Sequence, residues 1–201
     1  YDGLRKDFER LSMASVFNEL MLRLAPKHEA APDLFKLHSN ALALLEERTE
    51  PGADLMVLNA YLAKLLQWNG SQPRLIACMG CSKPITEIDP ISHVSCMIAD
   101  AGWICSSCRA SESKHIQRTG ASFTHSLLRI TPVALHDFHI SLSMPLRQVP
   151  AVSHGTREQH EELFRFLEGL FIFHVPGFDQ RPLKALKFLG VESTVGAAPL
   201  R

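Results

Sequence analysis

Five cysteines fall within "CMGCSKPITEIDPISHVSCMIADAGWICSSC", residues 78–108 of a 201-residue chain. Cys78 and Cys81 are separated by two residues, as are Cys105 and Cys108, and 23 residues lie between the pairs. A Cys-x-x-Cys turn directs two thiolates to one side, and two facing turns supply the four sulfurs of a tetrahedral zinc site. Ser82-Lys83-Pro84 and Gly102-Trp103 place small and turn-forming residues beside the thiols, as a zinc ribbon requires. Four thiolates leave no open position, so the expected cofactor is one structural Zn2+ held by Cys78, Cys81, Cys105 and Cys108. In zinc-finger peptides such a metal is worth about 10–16 kcal/mol apparent at neutral pH, enough to fold a segment with little apolar surface.

Other chemistries fit these residues less well. A dithiol redox centre needs one pair at a helix N-terminus beside a βαβ unit, and that context is missing. A catalytic zinc keeps a position open for water, with His or carboxylate ligands and a general base nearby. His93 is not followed by the x-Glu of zinc deaminases. Iron would fit the same four-sulfur cage. Cys96 is left over and is expected to be a small, partly buried apolar residue. A Cys₃His site, with His93 replacing one sulfur, is the alternative ligand set. An odd cysteine count in one short stretch argues against a secreted disulfide scaffold and for a reducing cytoplasm.

Nothing else in the chain reads as an active site. Ten histidines are present, but His136, His139, His154 and His160 join no carboxylate and nucleophile in a recognisable motif. There is no phosphate-binding glycine loop. The chain is 46% apolar and 21% charged with zero formal net charge, an ordinary globular balance. That excludes a surface that is polyanion-binding all over, so any nucleic-acid contact is local. Near the cysteines, Arg74, Lys83, Arg109, Lys114 and Arg118 are nearly balanced by Glu87, Asp89, Asp100 and Glu112. The segment "DQRPLKALKFLG" is more lopsided, with Arg181, Lys184 and Lys187 against Asp179. No apolar run approaches the roughly 18 residues of a membrane span, and no export leader is recognisable. The first residue is Tyr1 rather than Met, so the native start is expected upstream.

The elements that must position the cysteines are mostly helices. Leu4, Phe8, Leu11, Phe17, Leu20, Met21 and Leu24 recur at three- and four-residue steps, predicting a helix over 4–24 with that stripe inward. A second helix opens at Pro32 and buries Leu34, Phe35, Leu37, Ala41, Leu42 and Leu45, until "TEPGAD" breaks it. A third starts after Asp54 as N-cap, buries Leu55, Leu58, Leu62, Leu65 and Leu66, and ends at Asn69-Gly70. Between Leu75 and Arg109 no helical stripe persists, and short extended pieces are expected. Thr131-Pro132 opens a helix with Val133, Leu135, Phe138 and Leu142, and Pro145 and Pro150 predict a loop. Thr156 and Gln159 form a capping box ahead of Leu163, Phe164, Leu167, Leu170 and Phe171, with Pro176-Gly177 as the stop. A last short helix runs from Pro182.

The expected fold is therefore mainly α: a helical bundle interrupted by a small four-cysteine zinc-ribbon-like insert. Residues 1–74 would form the first part of the helical domain and 75–111 the zinc module. Residues 112–190 would form the second helical part, its beginning read as a polar link, and 191–201 a C-terminal tail.

The order of features resembles a known family. "ASVFNEL" and "DLFKL" on the first two helices, a helix ending in glycine before "CMGC", then "GWICSSC" and "PLKALKFL", are similar to the part of RecO that follows its OB-fold. RecO proteins are bacterial recombination mediators with an N-terminal OB-fold and a helical domain carrying a four-cysteine zinc module. The resemblance spans about Leu4 to Leu189 and implies a non-enzymatic role in DNA repair and recombination. It implies binding of single- and double-stranded DNA, strand annealing, association with RecR, and a grip on the acidic C-terminal tail of single-stranded DNA-binding protein so that RecA can load. It also implies a cytoplasmic, nucleoid-associated location. The ligand set carries over to Cys78, Cys81, Cys105 and Cys108. The tail or nucleic acid would meet Lys83, Arg109, Arg181, Lys184 and Lys187, with Lys184 and Lys187 the candidates for the tail. A zinc-stabilised interaction scaffold and a metal or dithiol enzyme are the alternative functions.

Overall fold

The computed structural model describes residues 2–47, 54–111, 127–178 and 181–191. The "TEPGA" break, Lys114, Arg118, the expected polar link and almost all of the expected tail lie outside them. Helix α1 spans Phe8–Leu24, preceded by a 3-10 turn at Leu4–Lys6. The two are separate because Asp7 is extended (φ −126°, ψ 120°) and its carboxylate accepts from the N–H groups of Glu9 and Arg10. Met13, Ala14, Val16, Phe17 and Leu20 form the buried face. Phe8 and Leu11, expected inside, are instead 64% and 45% exposed. Phe8 lies nine residues before Phe17, about two and a half helical turns, and so points the opposite way.

Helix α2, Pro32–Glu47, buries Leu34, Ala41, Leu44 and Leu45, and leaves Phe35 exposed. Helix α3, Asp54–Asn69, is the hub: from Leu55 to Leu66 every residue except Lys64 is buried. A helix apolar on all sides belongs inside a core, and α3 is packed by α1, α2 and three later helices. It ends at Gly70 with φ +76°, where Gly70 N–H donates to the Gln67 carbonyl and Ser71 N–H to that of Leu66. That pair of bonds is a Schellman stop, which requires a left-handed residue.

Strands β1 (Val94–Met97) and β2 (Gly102–Ile104) form an antiparallel hairpin, with Cys96 opposite Trp103. A third strand, β3 (Leu127–Ile130), pairs antiparallel on the other edge of β1, giving the order β2-β1-β3. β3 was not foreseen. Helix α4 (Pro132–Ser143) follows Thr131 as expected, and the expected loop after it contains a short helix α5, Val149–Val152. Pro150 is tolerated there because the first turn of a helix lacks partners for its N–H groups anyway. Helix α6, Arg157–His174, opens on the capping box of Thr156 and Gln159. The closing segment is a 3-10 helix, Lys184–Leu189, rather than an α-helix, laid along α1.

A polar relay crosses the bundle. His38 on α2 is half-buried, with Nδ1 3.0 Å from the Tyr61 hydroxyl and Nε2 3.1 Å from Asn18 Oδ1. With the hydroxyl donating to Nδ1, Nε2–H donates to the Asn18 amide oxygen, so the neutral ring satisfies both partners. Burial holds the His38 pKa below its ordinary 6.5. As pH falls below that ordinary value the unfolded chain takes up the proton and the folded chain resists, so stability declines until the folded pKa is passed. The urea midpoint is expected to be lower at pH 5.5 than at pH 7.5, with a shallower difference in His38→Gln. An unchanged difference in that variant would remove His38 from the effect.

Candidate metal centre and its surroundings

The first cysteine pair sits in a tight knuckle. Cys78 N–H donates to the Lys83 carbonyl, Ser82 N–H to that of Cys78, and Ile85 N–H to that of Ile76. Ala77 and Pro84 form an isolated bridge, and Ser82 takes a positive φ of 60° to close the turn. The second pair follows β2: Cys105 leads into a helical turn at 106–111 that returns Cys108 to the same point. Met79 N–H donates to the Trp103 carbonyl and joins the knuckles. Gly80 is required between them, because a Cβ there would lie 2.9 Å from Cys108 Sγ.

All four sulfurs lie within 4.8 Å of one another, with Cys81 and Cys105 Sγ 3.8 Å apart. A tetrahedral ion about 2.3 Å from each sulfur sets them about 3.8 Å apart, so the cage fits one such ion. The inner sulfurs belong to Cys78 and Cys105, both buried, and Cys81 is exposed. Burial disfavours a thiolate at Cys78, but N–H groups of Cys105, Cys81 and Gly80 and the Cys81 thiol outweigh it and lower the pKa to about 6. Cys105 N–H approaches Cys78 Sγ at 3.2 Å. Cys108 is pushed up to about 12, chiefly by its hydrogen bonds with Cys105 and Cys81. His93 is not in the cage; its Nε2 lies 3.6 Å from Glu162. Cys96 is wholly buried on β1, and burial, reinforced by the nearby Glu162 charge, pushes its thiol up.

The sheet carries this cage into the helical core. Val94, Cys96, Trp103, Ile104 and Ile130 belong to one buried cluster with the helices. The Trp103 indole N–H donates to the Leu75 carbonyl at 2.9 Å. Ile98, at the hairpin turn, presses on Gly169 of α6, where a Cβ would come within 2.4 Å of Ile98 Cδ1. The His174 ring meets the Ile98 carbonyl at 2.6 Å.

The basic candidates are divided between two places. Lys83 is exposed on the first knuckle. Arg109 is occupied: its guanidinium donates to Ser95 Oγ at 2.5 Å and ties the second knuckle to β1. Along α1, Lys184 and Lys187 flank a hollow of about 270 Å³ floored by Phe8, Leu11, Ala185 and Phe188. Phe8 and Phe188 meet edge to face at 5.6 Å, and Lys187 Nζ lies 4.8 Å from the Phe188 centroid. Glu19 and Arg23 on α1 pin this segment. Glu19 accepts from the Lys184 N–H at 2.8 Å, and Arg23 donates to the carbonyls of Arg181 and Pro182. Sequence reasoning assigned Phe8 and Leu11 to the core; the signal missed was a second apolar stripe off the Phe17 face.

A second histidine also meets a carboxylate. His160 Nδ1 lies 4.0 Å from Asp137 Oδ2, both side chains being buried. The same carboxylate accepts from Ser153 Oγ at 2.6 Å and Gly155 N–H at 3.1 Å. The serine proton is therefore spent on the carboxylate, which is the wrong order for a nucleophile activated by histidine. The cluster pins the turn between α5 and α6, and the Asn59 amide adds a bond to the His160 carbonyl at 2.8 Å.

Comparison with known proteins places these features in context. The family described as "Recombination protein O C terminal" matches residues 5–145. The DNA repair protein RecO of Desulforamulus reducens is 32% identical over 111 residues, 55% of this chain and 40% of that protein. The RecO of Cutibacterium acnes is 30% identical over 128 residues, 62% of this chain and 50% of that protein. The chain thus spans about half the length, or less, of these curated relatives. No solved structure matches it.

Proposed function

Because this chain belongs to the RecO C-terminal family, we propose that it is the helical, zinc-bearing part of a recombination mediator acting in DNA repair. The observation that carries this reading is the family match joined to a complete four-thiolate cage on the helical core. In the whole protein the role is non-enzymatic: binding single- and double-stranded DNA, annealing complementary strands, and acting with RecR to help RecA load onto coated single strands. The protein would work in the bacterial cytoplasm, at the nucleoid. No described helix is long and apolar enough to cross a membrane. The metal is Zn2+, held by Cys78, Cys81, Cys105 and Cys108. Its chemistry there is structural, since four thiolates leave no position for substrate or water.

The acidic tail of single-stranded DNA-binding protein docks in the hollow between α1 and the Lys184–Leu189 segment. Phe8, Leu11 and Phe188 offer an apolar floor, and Lys184 and Lys187 offer charge at the rim. An acidic peptide ending in apolar side chains needs both. Lys83 and Arg181 are exposed candidates for phosphate. Fluorescence anisotropy with a labelled tail peptide and with single-stranded DNA tests the reading, on this chain and on the full-length protein. Lys184→Glu with Lys187→Glu is expected to weaken tail binding at least about tenfold, a change of 1.4 kcal/mol or more. DNA affinity should fall steeply with salt, because phosphate contacts release counterions. No binding of either ligand by the full-length protein would sink the proposal.

A further inference from the structure

The cage is asymmetric, and the asymmetry has a chemical consequence that rests on the zinc reading above. Cys78 and Cys105 are only 2% and 6% exposed, whereas Cys81 stands at the outer corner in contact with solvent. Cys81 Sγ lies 3.8 Å from Cys105 Sγ, across the gap between the two knuckles. Cys78, its partner within the first pair, is the most buried of the four, and its sulfur accepts the Cys105 N–H at 3.2 Å. We infer that Cys81 is an oxidation site, and that peroxide converts the zinc staple into a Cys81–Cys105 disulfide.

The chemistry balances. The Cys81 thiolate attacks one oxygen of hydrogen peroxide, the O–O bond breaks, and a sulfenic acid forms with release of hydroxide. The Cys105 thiolate attacks the Cys81 sulfur, an S–S bond forms, and a second hydroxide leaves. Two sulfurs lose two electrons and the peroxide gains them; solvent protons convert both hydroxides to water. With Cys81 and Cys105 joined, only Cys78 and Cys108 would be left to hold an ion, which would be released.

Because the new bond joins the knuckles rather than closing one of them, it takes over the task of the metal. The first knuckle keeps its backbone bonds from Cys78 to Lys83 and from Ile85 to Ile76, none of which involves a ligand sulfur. The second stays tethered through Cys105, and Cys78 and Cys108 become free thiols. Oxidised, metal-free protein is therefore expected to unfold at a higher temperature than reduced, metal-free protein.

The test treats the zinc-loaded chain with hydrogen peroxide in the presence of a chromogenic zinc chelator. One zinc per chain should be released, and mass spectrometry after alkylation should find Cys81 linked to Cys105. Cys81→His supplies a fourth ligand without an oxidisable sulfur at that corner, and should slow release at least tenfold; Cys96→Ala should leave the rate unchanged. If Cys81→His fails to fold, the disulfide map of the parent protein decides alone. Zinc retained through peroxide, or a disulfide between another pair, overturns the inference. Absence of zinc from the untreated protein would instead remove the metal assignment, and this inference with it.

Discussion

Cys105→Ser is expected to abolish metal binding and to unfold the two cysteine knuckles. The variant loses a thiolate that a hydroxyl does not replace, since serine stays protonated at neutral pH and zinc prefers sulfur here. It also disturbs the inner half of the cage, where Cys105 N–H meets Cys78 Sγ and Cys108 N–H points at Cys105 Sγ. Metal binding to a site of this kind is worth about 10–16 kcal/mol in isolated peptides, and much of that is folding energy. Most of the shared buried cluster comes from the helices, which shields part of the loss. A fall of even about 4 kcal/mol would lower the melting temperature by roughly 8–16 °C for a chain of this size. Metal content should drop from one ion per chain to none, and limited proteolysis should cut first within 75–111. Cys96→Ala is the contrast: Cys96 is buried but outside the cage, so metal content stays at one and the cost is about 1–2 kcal/mol from a small cavity. A Cys105→Ser protein with full metal content and an unchanged melting temperature would contradict the assignment of the cage.

The features legible in the sequence are those whose cause is local. The spacing of the two Cys-x-x-Cys pairs reports the cage because each pair is its own turn, and only their mutual approach needs the fold. The capping box of Thr156 and Gln159, the Gly70 stop and the proline opening of α2 are also set within a few residues, and the structure has all three. What could not be read depends on partners distant in sequence. β3 is four residues long, shows no apolar alternation, and becomes a strand through pairing with β1 some thirty residues earlier. The Asp137 cluster joins α4 to residues 153–160, a link that periodicity does not report. Phe8 and Leu11 were misplaced because a list of three- and four-residue steps does not fix the starting angle of a helix. The Asp7 cap and the Phe17 contact with Tyr61, centroids 4.5 Å apart, fix it instead.

Trp103→Ala is expected to cost nearly as much as a ligand, for a different reason. Trp103 is the largest fully buried side chain of the sheet, and its loss leaves a cavity where β2 meets the helices. A buried Trp→Ala change typically costs about 3–5 kcal/mol, and the Leu75 carbonyl loses its indole donor. Trp103→Phe keeps most of the packing and removes only the donor, so about 1–2 kcal/mol is expected there. The two variants together separate packing from hydrogen bonding. Trp103 also links two layers of the structure: its side chain belongs to the helical core, while its carbonyl accepts from Met79 in the first knuckle. If the metal holds the knuckles together and Trp103 holds the sheet to the helices, removing both is not additive, because a module already detached has little left to lose. Urea unfolding of parent and Trp103→Ala, each with and without a zinc chelator, forms the cycle. The coupling is expected to be at least about 1 kcal/mol, the range found for residues in contact. Equal losses with and without chelator would mean that the staple and the helical core are energetically independent, and that the module only rests on the bundle.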